Sequence, residues 1–126
     1  MQYLVVGIGG GLGAMTRLLI ARILSISILG MPFSILAVNV IGCFLLGLVT
    51  EIMALYWSGS ETVRYFLITG FLGGFTTFSA FSLEFALLFE KSEFFLAYLY
   101  ALLSVSLSIL FFFMGEKVVK LFFKLI

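Results

Sequence analysis

The run Gly70-Phe71-Leu72-Gly73-Gly74-Phe75-Thr76-Thr77-Phe78-Ser79-Ala80-Phe81 lies inside an apolar stretch long enough to cross a bilayer. Paired glycines weaken a helix, and neighbouring threonines offer its backbone competing hydrogen bonds. A spanning segment is therefore expected to be interrupted between about residues 73 and 77. At membrane depth an irregular backbone survives only where protein buries it or where it lines a wet cavity. In channels and transporters such interruptions expose carbonyls and amides as ion ligands. The alternative from spacing alone is a glycine-softened helix packed closely on a neighbour.

The rest of the chain restricts the setting. Of 126 residues, 63% are hydrophobic and 10% charged, which leaves no material for a soluble domain beside the apolar runs. Each run needs about 20 residues to span. Four spans are expected, over about residues 3–24, 33–56, 62–89 and 94–115, as one all-α transmembrane domain. The first is read as a retained helix, not a signal peptide. Pro32, the only proline, suits the start of the second helix, where its missing N–H costs nothing. Ser60 or Glu61 opens the third. The stem beyond residue 115 is expected to stay helical and snorkel Lys117, Lys120 and Lys124.

Four spans place both termini and the second loop on one side, with Arg64, Lys117, Lys120 and Lys124. Arg17, Arg22 and Lys91 fall on the other. Of the seven basic residues, four lie on one side. Orientation follows a lysine and arginine excess in cytoplasmic loops, so a chain this balanced is free to insert both ways and pair antiparallel with itself. A fixed topology with the lysine tail inside is the alternative. The first two spans do not repeat in the last two, so any inverted symmetry comes from two copies. Histidine is absent, which removes the imidazole as metal ligand, proton shuttle or catalytic base. No nucleophile–base pair or metal-ligand set is visible, so an enzyme is not expected. The sole cysteine, Cys43, reads as a small packing residue.

Polar residues within the spans are the functional candidates. Gly7/Gly11 and Gly9/Gly13 are spaced for close helix approach. Arg17 follows them late in the first span, where a charge is costly and is expected to be paired, functional or snorkelled. Asn39 shares a face with Gly42 and must meet protein or water, because lipid cannot satisfy its amide. It serves either as a helix–helix hydrogen bond or as an ion contact. Tyr100, Ser104 and Ser108, four residues apart, align their hydroxyls in a stripe that can hand an ion along. Phe78 and Phe81 share a face, and their ring edges carry positive quadrupole density that an anion can meet. Glu84 follows on that face, to pair with Arg17 or sit in an aqueous vestibule.

Three motifs then resemble one family, the CrcB/Fluc fluoride channels. They are Gly10-x-x-Gly13-Ala14-x-x-Arg17, Asn39-x-x-Gly42 and the run from Gly70 to Phe81, the last being the specific one. The resemblance covers essentially the whole chain. It implies a dual-topology antiparallel homodimer in the inner membrane that exports fluoride passively and protects a bacterium from it. It also implies a structural sodium ion at the dimer interface, held by the backbone carbonyls of Gly73 and Thr76. Asn39 would touch the anion, Phe78 and Phe81 would present ring edges, and Tyr100, Ser104 and Ser108 would form the polar track. No nucleic-acid partner is implied. The chain departs from the family pattern at Ser34, Ile35, Phe75 and Ala80, which bears on conductance more than on which ion passes. A small dual-topology drug/proton exporter shares the size and span count, but such exporters place a carboxylate deep in the first span, where this chain has Arg17.

Overall fold

The computed structural model describes residues 1–125. It is all-α, with four helical spans long and apolar enough to cross a membrane, and the chain is a multi-pass membrane protein. Helix α1 runs Gln2–Ile23 and α2 runs Ser34–Leu55. The third span is composite: α3 at Glu61–Arg64, a π-helical stretch at Tyr65–Leu72, α4 at Gly73–Phe75 and α5 at Phe78–Glu90. Helix α6 runs Phe94–Lys124, so the lysine-bearing stem does continue the fourth span. Ser60 caps α3, its side chain accepting from the Val63 N–H at 3.4 Å.

Pro32 does not open α2. The link after α1 forms a small hairpin, β1 (Ser27–Ile28) paired antiparallel with β2 (Met31–Pro32), and α2 begins two residues later at Ser34. Its two-residue turn, Leu29-Gly30, has φ of 55° and 85°. Positive φ at both central residues matches the right-handed twist of the flanking strands. The hairpin thus uses the proline at a sheet edge, where its missing donor also costs nothing.

In lipid no hydrophobic drive favours one apolar helix over another, so contact depends on packing and small residues. Two glycine seams supply it. Gly47 on α2 lies against the Phe112 carbonyl of α6, and Gly115 on α6 lies against the Phe44 carbonyl of α2; a Cβ at either would collide with that oxygen. The second seam joins α1 to the third span. Gly9 and Gly13 meet the backbone at Phe66 and Phe71, and Gly74 meets Gly10, whose Cα would stand 2.8 Å from an added Cβ. The π-helical stretch falls along this seam. Its extra width is accommodated because backbone meets backbone there with no side chain between. A Cβ added at Gly7 or Gly11, from the same run in α1, would meet nothing within 4 Å among the described residues.

The core gathers Leu36 and Val40 of α2, Leu88 of α5, and Ala97 and Tyr100 of α6. Near the end of α2, the buried Glu51 meets Lys120 of α6 at 3.6 Å, and Lys120 also meets Glu116 at 3.8 Å. Of α1's most apolar window only 11% is buried, against 39% for α2. Helix α2 is therefore the centre of the bundle and α1 its outer wall.

The α2–α6 seam gives a direct test. Gly47→Val forces a side chain into the Phe112 carbonyl and should part the two helices. The purified variant should lose its monodisperse peak in mild detergent, while Gly7→Val, whose added Cβ would meet nothing within 4 Å among the described residues, should leave the single-chain fold intact by circular dichroism.

Candidate functional site: the cavity at the broken span

The interruption falls where the sequence places it. Helix α4 ends at Phe75. Thr76 (φ −77°, ψ 153°) and Thr77 (φ −152°, ψ 120°) are extended, and α5 starts at Phe78. Glycine softness alone does not produce it; side chains capture the backbone donors. The Thr77 N–H, which would close a helical bond on Gly73 O, donates instead to Asn39 Oδ1 at 2.8 Å. Asn39 Nδ2 in turn donates to Thr77 O at 3.0 Å. The Ala80 N–H, the corresponding donor for Thr76 O, goes to Thr77 Oγ1 at 3.1 Å as the N-cap of α5. One turn of helix is lost, and every capture is reciprocated by a good bond. Buried polar groups demand that accounting.

Asn39 is thus a pairing residue between α2 and the break, and it keeps a second amide N–H uncommitted by these bonds. Gly42, one turn on, makes room. A Cβ there would run into Thr76 Cγ2 and stand 3.0 Å from the Phe75 ring. Phe75 is 2% exposed and anchors the end of α4.

The captures leave the Gly73 and Thr76 carbonyls without the backbone donors a continuous helix would give them. Neutral carbonyl oxygens are suitable ligands for a hard cation such as sodium, so these two residues have the chemistry their expected role needs. Arg17 Nη1 lies 3.5 Å from Thr76 O. This contact is long, and a carbonyl oxygen has a second lone pair for another partner.

Beside the break lies a cavity of about 450 Å³. Its walls are Asn39 and Cys43 of α2, Gly73, Thr76 and Thr77 of the break, Phe78 and Phe81 of α5, and Ser104, Val105, Ser108 and Ile109 of α6. Seven of the residues singled out from the sequence therefore converge on one space: Asn39, Gly73, Thr76, Phe78, Phe81, Ser104 and Ser108. Phe78 projects from the bundle at 75% exposure, with its ring centroid 5.2 Å from that of Phe81. Ser104 is buried, and among the described residues its Oγ has no hydrogen-bond partner. It does not bond back to its own helix, the usual fate of a spanning serine.

Three candidates stand elsewhere. Tyr100 is fully buried behind Phe81, the two rings stacked at 5.4 Å, and its hydroxyl donates to Glu84 Oε2. Its hydroxyl does not line the cavity with Ser104 and Ser108, as alignment on one stripe suggests. Glu84 takes Tyr100 as its partner. The alternative pairing with Arg17 is not formed, because Arg17 turns to the break. Four lining residues were not singled out as candidates: Val105 and Ile109, which are apolar wall, and Cys43 and Thr77. Cys43 borders the cavity and is not enclosed packing, and Thr77 is the hinge of the break. Cys43 follows Asn39 by one helical turn, a signal that was available in the spacing.

The family model described as "CrcB-like protein, Camphor Resistance (CrcB)" matches residues 4–116. The chain belongs to that family. Among its relatives, a protein of Rhodopseudomonas palustris (strain BisB5) is 46% identical over 122 residues, covering 95% of this chain and 98% of the relative. One of Rhizobium leguminosarum bv. trifolii (strain WSM2304) is 44% identical over 110 residues, covering 86% of this chain and 87% of the relative. One of Chlorobium phaeobacteroides (strain BS1) is 42% identical over 118 residues, covering 94% and 92%. All three are named "Fluoride-specific ion channel FluC".

Asn39→Leu tests the local account. It removes both bonds to Thr77 and leaves its N–H and C=O unpaired in an apolar setting, at a cost of about 1–3 kcal/mol per group. The thermal midpoint of the detergent-solubilised protein should fall. The Thr77 amide, protected in the parent, should exchange with deuterium; continued protection in the variant would mean that another group holds the break.

Proposed function

We propose that this protein is a fluoride-selective channel that lets fluoride leave the cell passively and so protects it from fluoride. The supporting observation is the cavity beside the break: it is lined by neutral hydrogen-bond donors and two aromatic rings, in a chain whose relatives carry the fluoride-channel name. Fluoride is small and strongly hydrated, so a path that takes it must replace its water with closely spaced donors. The uncommitted N–H of Asn39 is the first. The Ser104 hydroxyl, with no partner of its own among the described residues, is the second, and Ser108 continues the path along α6. Phe78 and Phe81 supply ring edges without burying a counter-charge. Tyr100 positions Phe81 by stacking behind it, and Glu84 fixes the Tyr100 hydroxyl.

The working unit is an antiparallel homodimer with both orientations in one membrane. The near balance of basic residues across the two faces supports dual insertion, and the largely uncovered α1 supports a partner. Gly73 O and Thr76 O of each copy would hold a structural sodium ion at the dimer interface. When bound, that ion supplies a fixed positive potential that favours an anion nearby. Arg17 adds to the same potential from α1.

Vesicles loaded with fluoride or chloride and read by ion-selective electrodes test the selectivity. Fluoride should leave and chloride should not; comparable chloride efflux overturns the proposal. Phe81→Ala and Phe78→Ala should each cut fluoride efflux by about tenfold or more with the dimer intact, since a widened path loses the ring-edge contacts that offset dehydration. Loss of the dimer with normal efflux per surviving dimer would make both rings packing residues.

A C-terminal tag should be labelled from both faces of the membrane. Labelling from one face alone would replace dual topology with a fixed orientation.

A further inference from the structure

We infer that Cys43 is a modification site on the permeation path, at which one small adduct on its thiol closes the channel. The inference rests on the channel reading above and adds a residue to it. Cys43 follows Asn39 by one turn of α2, so the two side chains fall on the same face and both border the cavity. Across that space α6 presents Ser104 and Ser108. A cysteine alone would mean little, since most buried thiols are inert packing. The second observation is Ser104. Its side-chain oxygen is buried without a partner among the described residues, in a residue 5% exposed, and it borders the same cavity. A native protein leaves a hydroxyl unpaired at such a place when a transient ligand or water is its partner. Cys43 therefore faces a space that the ligand uses.

The fitting reagents are small, neutral, thiol-directed electrophiles, which cross apolar surroundings without a charge to desolvate. An alkyl methanethiosulfonate is one. The Cys43 thiol gives its proton to water, and the thiolate attacks the sulfenyl sulfur. The new Cys–S–S–alkyl bond forms as the S–SO2 bond breaks, and methanesulfinate leaves with the electron pair. The adduct fills part of the cavity and places an apolar group between Asn39 and the α6 serines. A thiol reductant reverses it. Because Cys43 is the only cysteine in the chain, every thiol-specific effect reports on this position.

The test uses the full-length protein reconstituted in vesicles, treated with methyl or benzyl methanethiosulfonate. Adduct mass is read by mass spectrometry, and fluoride efflux is read before treatment, after it and after reduction. The untreated protein should conduct. The benzyl adduct should lower efflux by about tenfold or more, because a narrow path tolerates no added bulk, the methyl adduct should lower it less, and reduction should restore it. Cys43→Ser, whatever its own efflux, should gain no adduct and show no response to either reagent. A full adduct with unchanged efflux would overturn the inference, as would failure of the thiol to react. If Cys43→Ser is blocked equally, the effect lies elsewhere and the inference falls. Untreated protein that carries no fluoride would overturn the channel reading, and this inference with it; the untreated arm separates that case from the others.

Discussion

The pairing of Asn39 with both backbone groups of Thr77 is the interaction on which the site depends. It exchanges two main-chain groups for two side-chain groups at bonds of 2.8 and 3.0 Å, so the break costs no unsatisfied polarity on that residue. Without it, the Thr77 N–H and C=O would stand unpaired in an apolar setting, a state that lipid penalises. The Gly73 and Thr76 carbonyls, the turn of backbone beside the cavity and the entry of α5 all follow from that substitution of partners. Gly42 is its steric condition, since any side chain there would push Thr76 away.

The surrounding bundle holds this device in place. Glycine seams bring α1 onto the third span and α2 onto α6 at backbone contact. In a medium that gives no reward for burying apolar surface, close packing is what selects one arrangement of helices. Tyr100 links packing to the site: its ring backs Phe81, and its hydroxyl binds Glu84 one layer outward. A polar contact and an aromatic stack thereby fix the rotamer of a ring that borders the cavity.

Much of this was legible in the sequence, and the misses have physical causes. Gly73-Gly74 and Thr76-Thr77 located the break, because helix propensity and hydroxyl competition act locally. Asn39, Ser104 and Ser108 were legible because lipid forces a spanning polar group to face protein or water. Tyr100 was placed on the same stripe by its four-residue spacing from Ser104, yet a tyrosine hydroxyl stands far from its own backbone, and Glu84 set where it went. The π-helical stretch was invisible, since the residues of Tyr65–Leu72 carry no pattern separating a wide coil from an α-helix. Pro32 fitted a helix start and a strand edge equally; the Leu29-Gly30 turn decided between them. Cys43 was read as packing because a thiol in an apolar run looks like packing by itself, and only its one-turn spacing from Asn39 marks it as a cavity wall.

Asn39 holds the break open, and the role proposed for the freed Gly73 and Thr76 carbonyls is that of cation ligands. Solid-state NMR of the reconstituted protein, with 13C at the carbonyls of Gly73, Thr76 and Leu72, reads this directly while sodium is exchanged for a bulky organic cation. Leu72 O accepts two bonds from Thr76 and is the internal control. The account predicts that the Gly73 and Thr76 signals shift on removal of sodium and return on its restoration, with Leu72 unmoved. Gly73 and Thr76 signals indifferent to sodium, in protein that conducts fluoride, would contradict it.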